Sequence, residues 1–188
     1  MKTFSGPPAK FGSQTLPTIA YEKALYRLHM NDKNAVFFGK LKRYRFDSPD
    51  QSYGVLYAGT SIEAAFAEVF LRDPPRMVAQ AAISERLLST IYHKKLILLD
   101  AYGAGLAKIG TTAELGTCDY AISQAWSAAI HHHPQRVDGI FWAGRHDNDT
   151  RNVAIFDRAE SKITDCVPAP IQTPMLANLV ARYDIALV

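Results

Sequence analysis

The sequence predicts an α+β domain: a mixed, mainly antiparallel sheet core with flanking helices. Three observations point to it. Short β-prone runs recur at 23–30, 53–59, 94–100, 137–144 and 152–157. Two of these are joined by the turn-forming stretch HDNDTR (146–151), the mark of a hairpin. Helical spacing appears between such runs, but several strands come before any regular strand–helix–strand alternation.

The elements follow in chain order. The opening stretch MKTFSGPPAKFGSQTLPT is rich in Pro, Gly and Ser and lacks the apolar core of a signal peptide. Residues 1–20 therefore read as a flexible N-terminal arm and 21–188 as a single domain, a length that suits one core. KALYRLHM (23–30) alternates, with Ala24, Tyr26, Leu28 and Met30 on a core face and Leu25, Arg27 and His29 on a face carrying polar groups. YGVLYAG (53–59) reads as a buried strand. Thr60 and Glu63 then form the pattern of a capping box, which predicts a helix over 61–71. RMVAQAAI (76–83) reads as a strand, SERLL (84–88) as a helical turn and KKLILLD (94–100) as a compact apolar strand. Residues 104–116, rich in Gly and Thr, read as loop with a short helix. DYAISQAWSAAIHH (119–132) has helical spacing, ended by Pro134. Thr173 as cap and Pro174 at the first helical position open a helix over 173–183, and DIALV adds a last strand.

Composition excludes several classes. The apolar fraction of 48% and charged fraction of 21% are those of an ordinary globular protein, and no apolar run approaches a membrane span. A net charge of +3 is too small to argue for direct nucleic-acid binding. The two cysteines, Cys118 and Cys166, lie far apart and fit no metal spacing, as in a cytoplasmic protein with reduced thiols. HHHP (131–134) reads as histidines favoured at a helix C-terminus rather than a metal site, and Asp147 and Asp149 as loop formers. There is no phosphate-binding Gly-Lys-Ser/Thr loop, no Gly-x-Ser-x-Gly and no dinucleotide fingerprint.

One residue stands out. In the helix over 61–71, Ile62, Ala65, Phe66, Val69 and Phe70 form a broad apolar stripe, and Glu68 sits at its edge. A helix with so little polar surface is covered by other elements, and a half-buried carboxylate needs a partner or a task. The plain alternative is a surface pair between Glu68 and Arg72, four residues on.

LYRLH, RFDSPDQSYGVLYAGTSIEAAFAEVF, YAISQAW and DGIFWAGRHDNDTRNVAIFDRA together resemble the RES-domain family. These are toxins of toxin–antitoxin pairs, usually encoded beside an Xre-type antitoxin. The resemblance runs from about Ala24 to Asp157. It implies a fold similar to that of ADP-ribosyltransferases and consumption of NAD⁺ as substrate, by hydrolysis or phosphorolysis of the nicotinamide–ribose bond, with no metal. The family's Arg matches Arg27 and its Glu matches Glu68. Its Gly-Gly-Arg-Trp stretch corresponds to RYRF, which keeps Arg45 but has Arg43 and Tyr44 for the glycines. The tyrosine ahead of the helix is Tyr57, and the serine is placed at Ser123. Many members carry a further serine after the DGI strand, where this chain has Ala143 and Gly144.

The implied catalytic set is Glu68, Arg27 and Ser123, with Arg27, Arg45 and Tyr57 holding the dinucleotide. Such a set suits the chemistry. Arginine grips pyrophosphate through paired charge-assisted bonds, an aromatic stacks, and a preorganised carboxylate stabilises the oxocarbenium-like transition state as nicotinamide leaves. Arg27 is expected to keep Glu68 ionised in the empty site. Three other readings stay open: an ADP-ribosyltransferase that modifies a protein, a catalytically weak nucleotide-binding module, and a protein whose main role is docking to the antitoxin.

Overall fold

The structure, a computed structural model, describes residues 5–72 and 77–188. Among the described residues ten strands alternate irregularly with five α-helices: β1 (Thr18–Tyr21), β2 (Leu25–Met30), β3 (Val55–Gly59), α1 (Ile62–Phe70), β4 (Met77–Val78), α2 (Gln80–Ser84), β5 (Arg86–His93), β6 (Leu96–Ala101), α3 (Ala104–Ile109), α4 (Tyr120–His131), β7 (Gly139–Ala143), β8 (Arg151–Phe156), β9 (Ile163–Ala169), α5 (Thr173–Tyr183) and β10 (Ala186–Leu187). Eight strands form one sheet in the order β1-β6-β7-β8-β3-β2-β5-β9, and β10 pairs with β4 separately. In the large sheet only β6 and β7 run parallel; the other neighbours are antiparallel. The mixed, mainly antiparallel α+β class is therefore what the chain adopts.

Strand alternation divides the core. On β3 and β8, Val55, Ala154 and Phe156 join a cluster with Phe46, Ile140 and the α4 residues Trp126 and Ile130. Their neighbours Leu56, Ala58, Val153 and Ile155 face the other way, onto Leu25, Ile91 and Ala159, with Val36 and Phe38 from the loop after β2. A third cluster joins Leu28 of β2 to Phe66 of α1 and to Leu179 and Tyr183 of α5.

The observed elements correct the sequence reading in four places. The stretch 76–83 is not one strand: β4 is two residues, α2 follows, and Arg76 lies outside the described residues. SERLL is not a helical turn, because Arg86 opens β5, an eight-residue strand hydrogen-bonded between β2 and β9. The cap of α1 is Ser61, whose hydroxyl accepts from Ala64 N at 3.2 Å, while the Thr60 hydroxyl donates to Arg151 O at 3.0 Å. The capping box of Thr60 and Glu63 is thus not formed. In α5 the cap is Gln172, one residue earlier than expected, with Pro174 still in the first turn.

The segment before β1 differs from a loose arm over its described part. Phe11 and Leu16 are buried, Trp126 Nε1 donates to Ser5 O at 3.1 Å, and β1 pairs with β6. Two buried apolar side chains, the bond to Ser5 and the strand pairing together fasten this Pro- and Gly-rich stretch.

Candidate active site

The site forms where α1 crosses the ends of β3 and β8. Gly59 and Asn152 face each other across the β3–β8 pair. A side chain at Gly59 would put its Cβ 2.6 Å from Ala65 N and 2.9 Å from Ser61 O, so only glycine lets α1 approach this closely. That approach brings Glu68 of α1 to Asn152 of β8: Asn152 Nδ2 donates to Glu68 Oε1 at 2.7 Å. Arg72 does not pair with the carboxylate. Its Nε donates to the backbone oxygen of Glu68 at 2.6 Å. The surface-pair alternative for Glu68 is thereby replaced by a partner 84 residues away in sequence.

Arg45 supplies positive charge within electrostatic range of Glu68. Its Nη1 donates to Cys118 O at 2.6 Å, and its guanidinium lies 5.1 Å from the centre of the Tyr120 ring. Burial lowers its pKa from the ordinary value; Arg145 adds to this, and Cys118, Tyr120 and Glu68 oppose it. Among the described residues Arg45 forms no salt bridge. The loop that carries it is ordered by Asp47, which is 1% exposed. Asp47 accepts from the backbone N–H groups of Arg43 (2.8 Å) and Tyr44 (3.0 Å) and from the Tyr57 hydroxyl (2.9 Å). Arg43 and Tyr44 can therefore stand where the family has glycines: neither needs a left-handed backbone, which in this loop is adopted by Lys42 and Gln51.

Tyr57 is fixed by its hydroxyl, which also accepts from Phe46 N at 2.9 Å. Its ring meets Tyr44 and Trp142 edge-on. Burial, then Asp47, raises its phenol pKa well above the usual value, so it remains neutral.

Arg27 sits differently from expectation. Only Tyr26 and Gly59 are in register between β2 and β3, and next to this single pair Arg27 Nη1 donates to Tyr57 O at 3.2 Å. Burial lowers its pKa, opposed by Tyr44, Cys166 and Tyr57. Among the described residues it forms no salt bridge, so Glu68 is held by Asn152 and not by Arg27. Arg27 is thus a partly buried cation with no carboxylate paired to it among the described residues.

Ser123 is fully buried, at 0% exposure, and its hydroxyl donates to Asp119 O and Tyr120 O in its own helix. It also lies against the Cys118 thiol. Substrate contact was expected of it; here it supports the helix start that holds Arg45 through Cys118. At Gly144, one of the two positions where many members carry the further serine, there is no room for a side chain. A Cβ at Gly144 would lie 2.5 Å from Thr150 Oγ1 and 2.8 Å from Asp147 O, inside the tight β7–β8 turn. Among the described residues no cluster of three or more metal-ligating side chains occurs. No helix there is long and apolar enough to cross a membrane.

Comparison with known proteins places the chain. A family model described as the RES domain matches residues 24–177. Among solved structures, the crystal structure of the M. tuberculosis MbcT–MbcA toxin–antitoxin complex contains a chain of similar fold. The TM-score is 0.61 at 20% identity, covering 87% of this chain and 92% of that one. No curated protein matches it significantly.

Proposed function

The chain belongs to the RES domain family, and from that premise we propose that it is the toxin of a toxin–antitoxin pair that consumes NAD⁺ by cleaving the nicotinamide–ribose bond. The observation that carries the reading is the state of Glu68. One carboxylate oxygen is anchored by Asn152, the other makes no hydrogen bond among the described residues, and the partly buried Arg45 is within electrostatic range of it.

In this reading Arg27 and Arg45 take the pyrophosphate, whose negative charge supplies the partner that neither has in the empty protein. Tyr57, neutral and held edge-on to Tyr44, forms an aromatic wall. Nicotinamide leaves with the electron pair of the glycosidic bond, and positive charge develops on the ribose carbon. The free oxygen of Glu68 stabilises that charge in a site where low dielectric strengthens it. Water or phosphate then adds to the same carbon and loses a proton, giving ADP-ribose free or phosphate-linked. A protein nucleophile in place of water makes the enzyme an ADP-ribosyltransferase.

The test is to incubate pure protein with NAD⁺, alone, with phosphate and with a cell extract, and to separate the products. Release of nicotinamide supports the reading, and the fate of ADP-ribose decides among the three acceptors. NAD⁺ that binds and is recovered intact in all three leaves a nucleotide-binding module.

A further inference from the structure

The Glu68–Asn152 contact has a defined chemistry. A carboxylate can only accept hydrogen bonds, so the amide facing it at 2.7 Å presents its NH₂. Asn152 is 2% exposed and lies on β8 between Trp142 of β7 and Gly59 of β3, so its backbone is fixed on both sides. Glu68 lies in the last turn of a nine-residue helix, on a longer and more flexible side chain. The rigid partner therefore sets the position of the mobile one.

We propose that Asn152 is the positioning residue of this site: by holding Glu68 Oε1 it aims the other oxygen at the substrate. This rests on the assignment of Glu68 as the group that stabilises the transition state. Asn152 itself need not touch the substrate.

Asn152→Asp separates this role from simple packing, since it keeps shape while replacing a donor by a second carboxylate. Two carboxyl groups at hydrogen-bond distance resist being ionised together, so the pair holds one shared proton to higher pH than a lone carboxyl would. Two readouts follow. In turnover of NAD⁺, kcat of Asn152→Asp falls ~10-fold or more at pH 7 with KM nearly unchanged, and the acidic limb of the pH profile moves up by more than about one pH unit. Asn152→Ala loses kcat without moving that limb as far.

The second readout does not need activity. The thermal midpoint of Asn152→Asp falls relative to wild type as pH rises through neutrality, because losing the shared proton leaves two charges face to face. Adding Glu68→Gln removes that fall. A wild-type pH profile and kcat in Asn152→Asp, or a midpoint difference that is flat with pH, overturns the proposal. If Glu68→Gln itself turns over at the wild-type rate, the assignment of Glu68 fails. If Glu68→Gln is inactive while both Asn152 variants are fully active, only the role of Asn152 fails.

Discussion

At the scale of single residues, the molecule separates groups fixed for structure from groups left with capacity. Asp47 and Tyr57 are saturated, whereas Arg27, Arg45 and one oxygen of Glu68 are not. His131 belongs to the structural set. It stacks on Tyr53 at 3.9 Å, and burial followed by the nearby Arg158 lowers its pKa to about 4. In the unfolded chain an imidazole takes its proton near the ordinary value of about 6.5. The stabilisation is therefore full above that value and is lost as pH falls toward 4. His131→Phe keeps the ring contacts and removes the titration. Thermal midpoints measured between pH 7 and pH 4 should decline less in His131→Phe than in wild type; parallel curves would contradict this. His131 does sit at the end of α4, as the HHHP run suggested, but as a buried ring of lowered pKa and not as a cation favoured by the helix terminus. Glu68 could be singled out from its place on an apolar helix. Asn152 could not, because its meaning lies in a contact across 84 residues of chain that no local pattern carries. The choice of Ser61 over Thr60 as cap was hidden for a related reason: the Thr60 hydroxyl is claimed by a carbonyl of β8.

At the scale of elements, α1 and the ends of β3 and β8 act as one unit, and Gly59 sets their spacing. Gly59→Ala would press a methyl group against helix backbone at 2.6 Å. Overpacking of this kind costs about 1–3 kcal/mol. It should also displace Glu68 from Asn152. The expected result is a lowered thermal midpoint together with a drop in kcat larger than the unfolded fraction explains at the assay temperature. A folded Gly59→Ala variant with wild-type kcat would show that the spacing does not matter. Sequence alone captured β2, β3, β6, the β7–β8 hairpin, α1, α4 and α5, because each is a run with clear periodicity or turn chemistry. It missed β5 because its burial does not alternate cleanly, the strand being packed on both faces. It missed β9 because an edge strand that is largely exposed and contains Pro168 has almost no amphipathic signature. These two strands complete the sheet beside β2 and bring Cys166 to Arg27, so part of that residue's surroundings was invisible from the sequence.

At the scale of the whole molecule, the proposed consumption of NAD⁺ would endanger the cell that makes the protein, so the proposal carries with it an inhibitory partner, an Xre-type antitoxin by family resemblance. The loop after β2 offers a surface for it. Phe37, Leu41 and Tyr44 are exposed there at 53%, 57% and 47%, among Lys40, Lys42 and Arg43 and next to Arg45. An acidic, partly apolar partner segment seated there would close the approach to Arg45 and Glu68. Co-expression with a candidate antitoxin from a neighbouring gene should yield a complex, and Leu41→Asp should weaken it while leaving NAD⁺ turnover intact. Isolation of the chain alone, active and harmless to cells, would contradict this. The central claim, that Glu68 stabilises the charge formed as nicotinamide leaves, is tested most directly by the rate of NAD⁺ consumption in wild type and Glu68→Gln at matched thermal midpoints. Because that charge exists only at the barrier, kcat should fall ~10²–10³-fold with KM little changed. A stable Glu68→Gln protein that consumes NAD⁺ at the wild-type rate would contradict it.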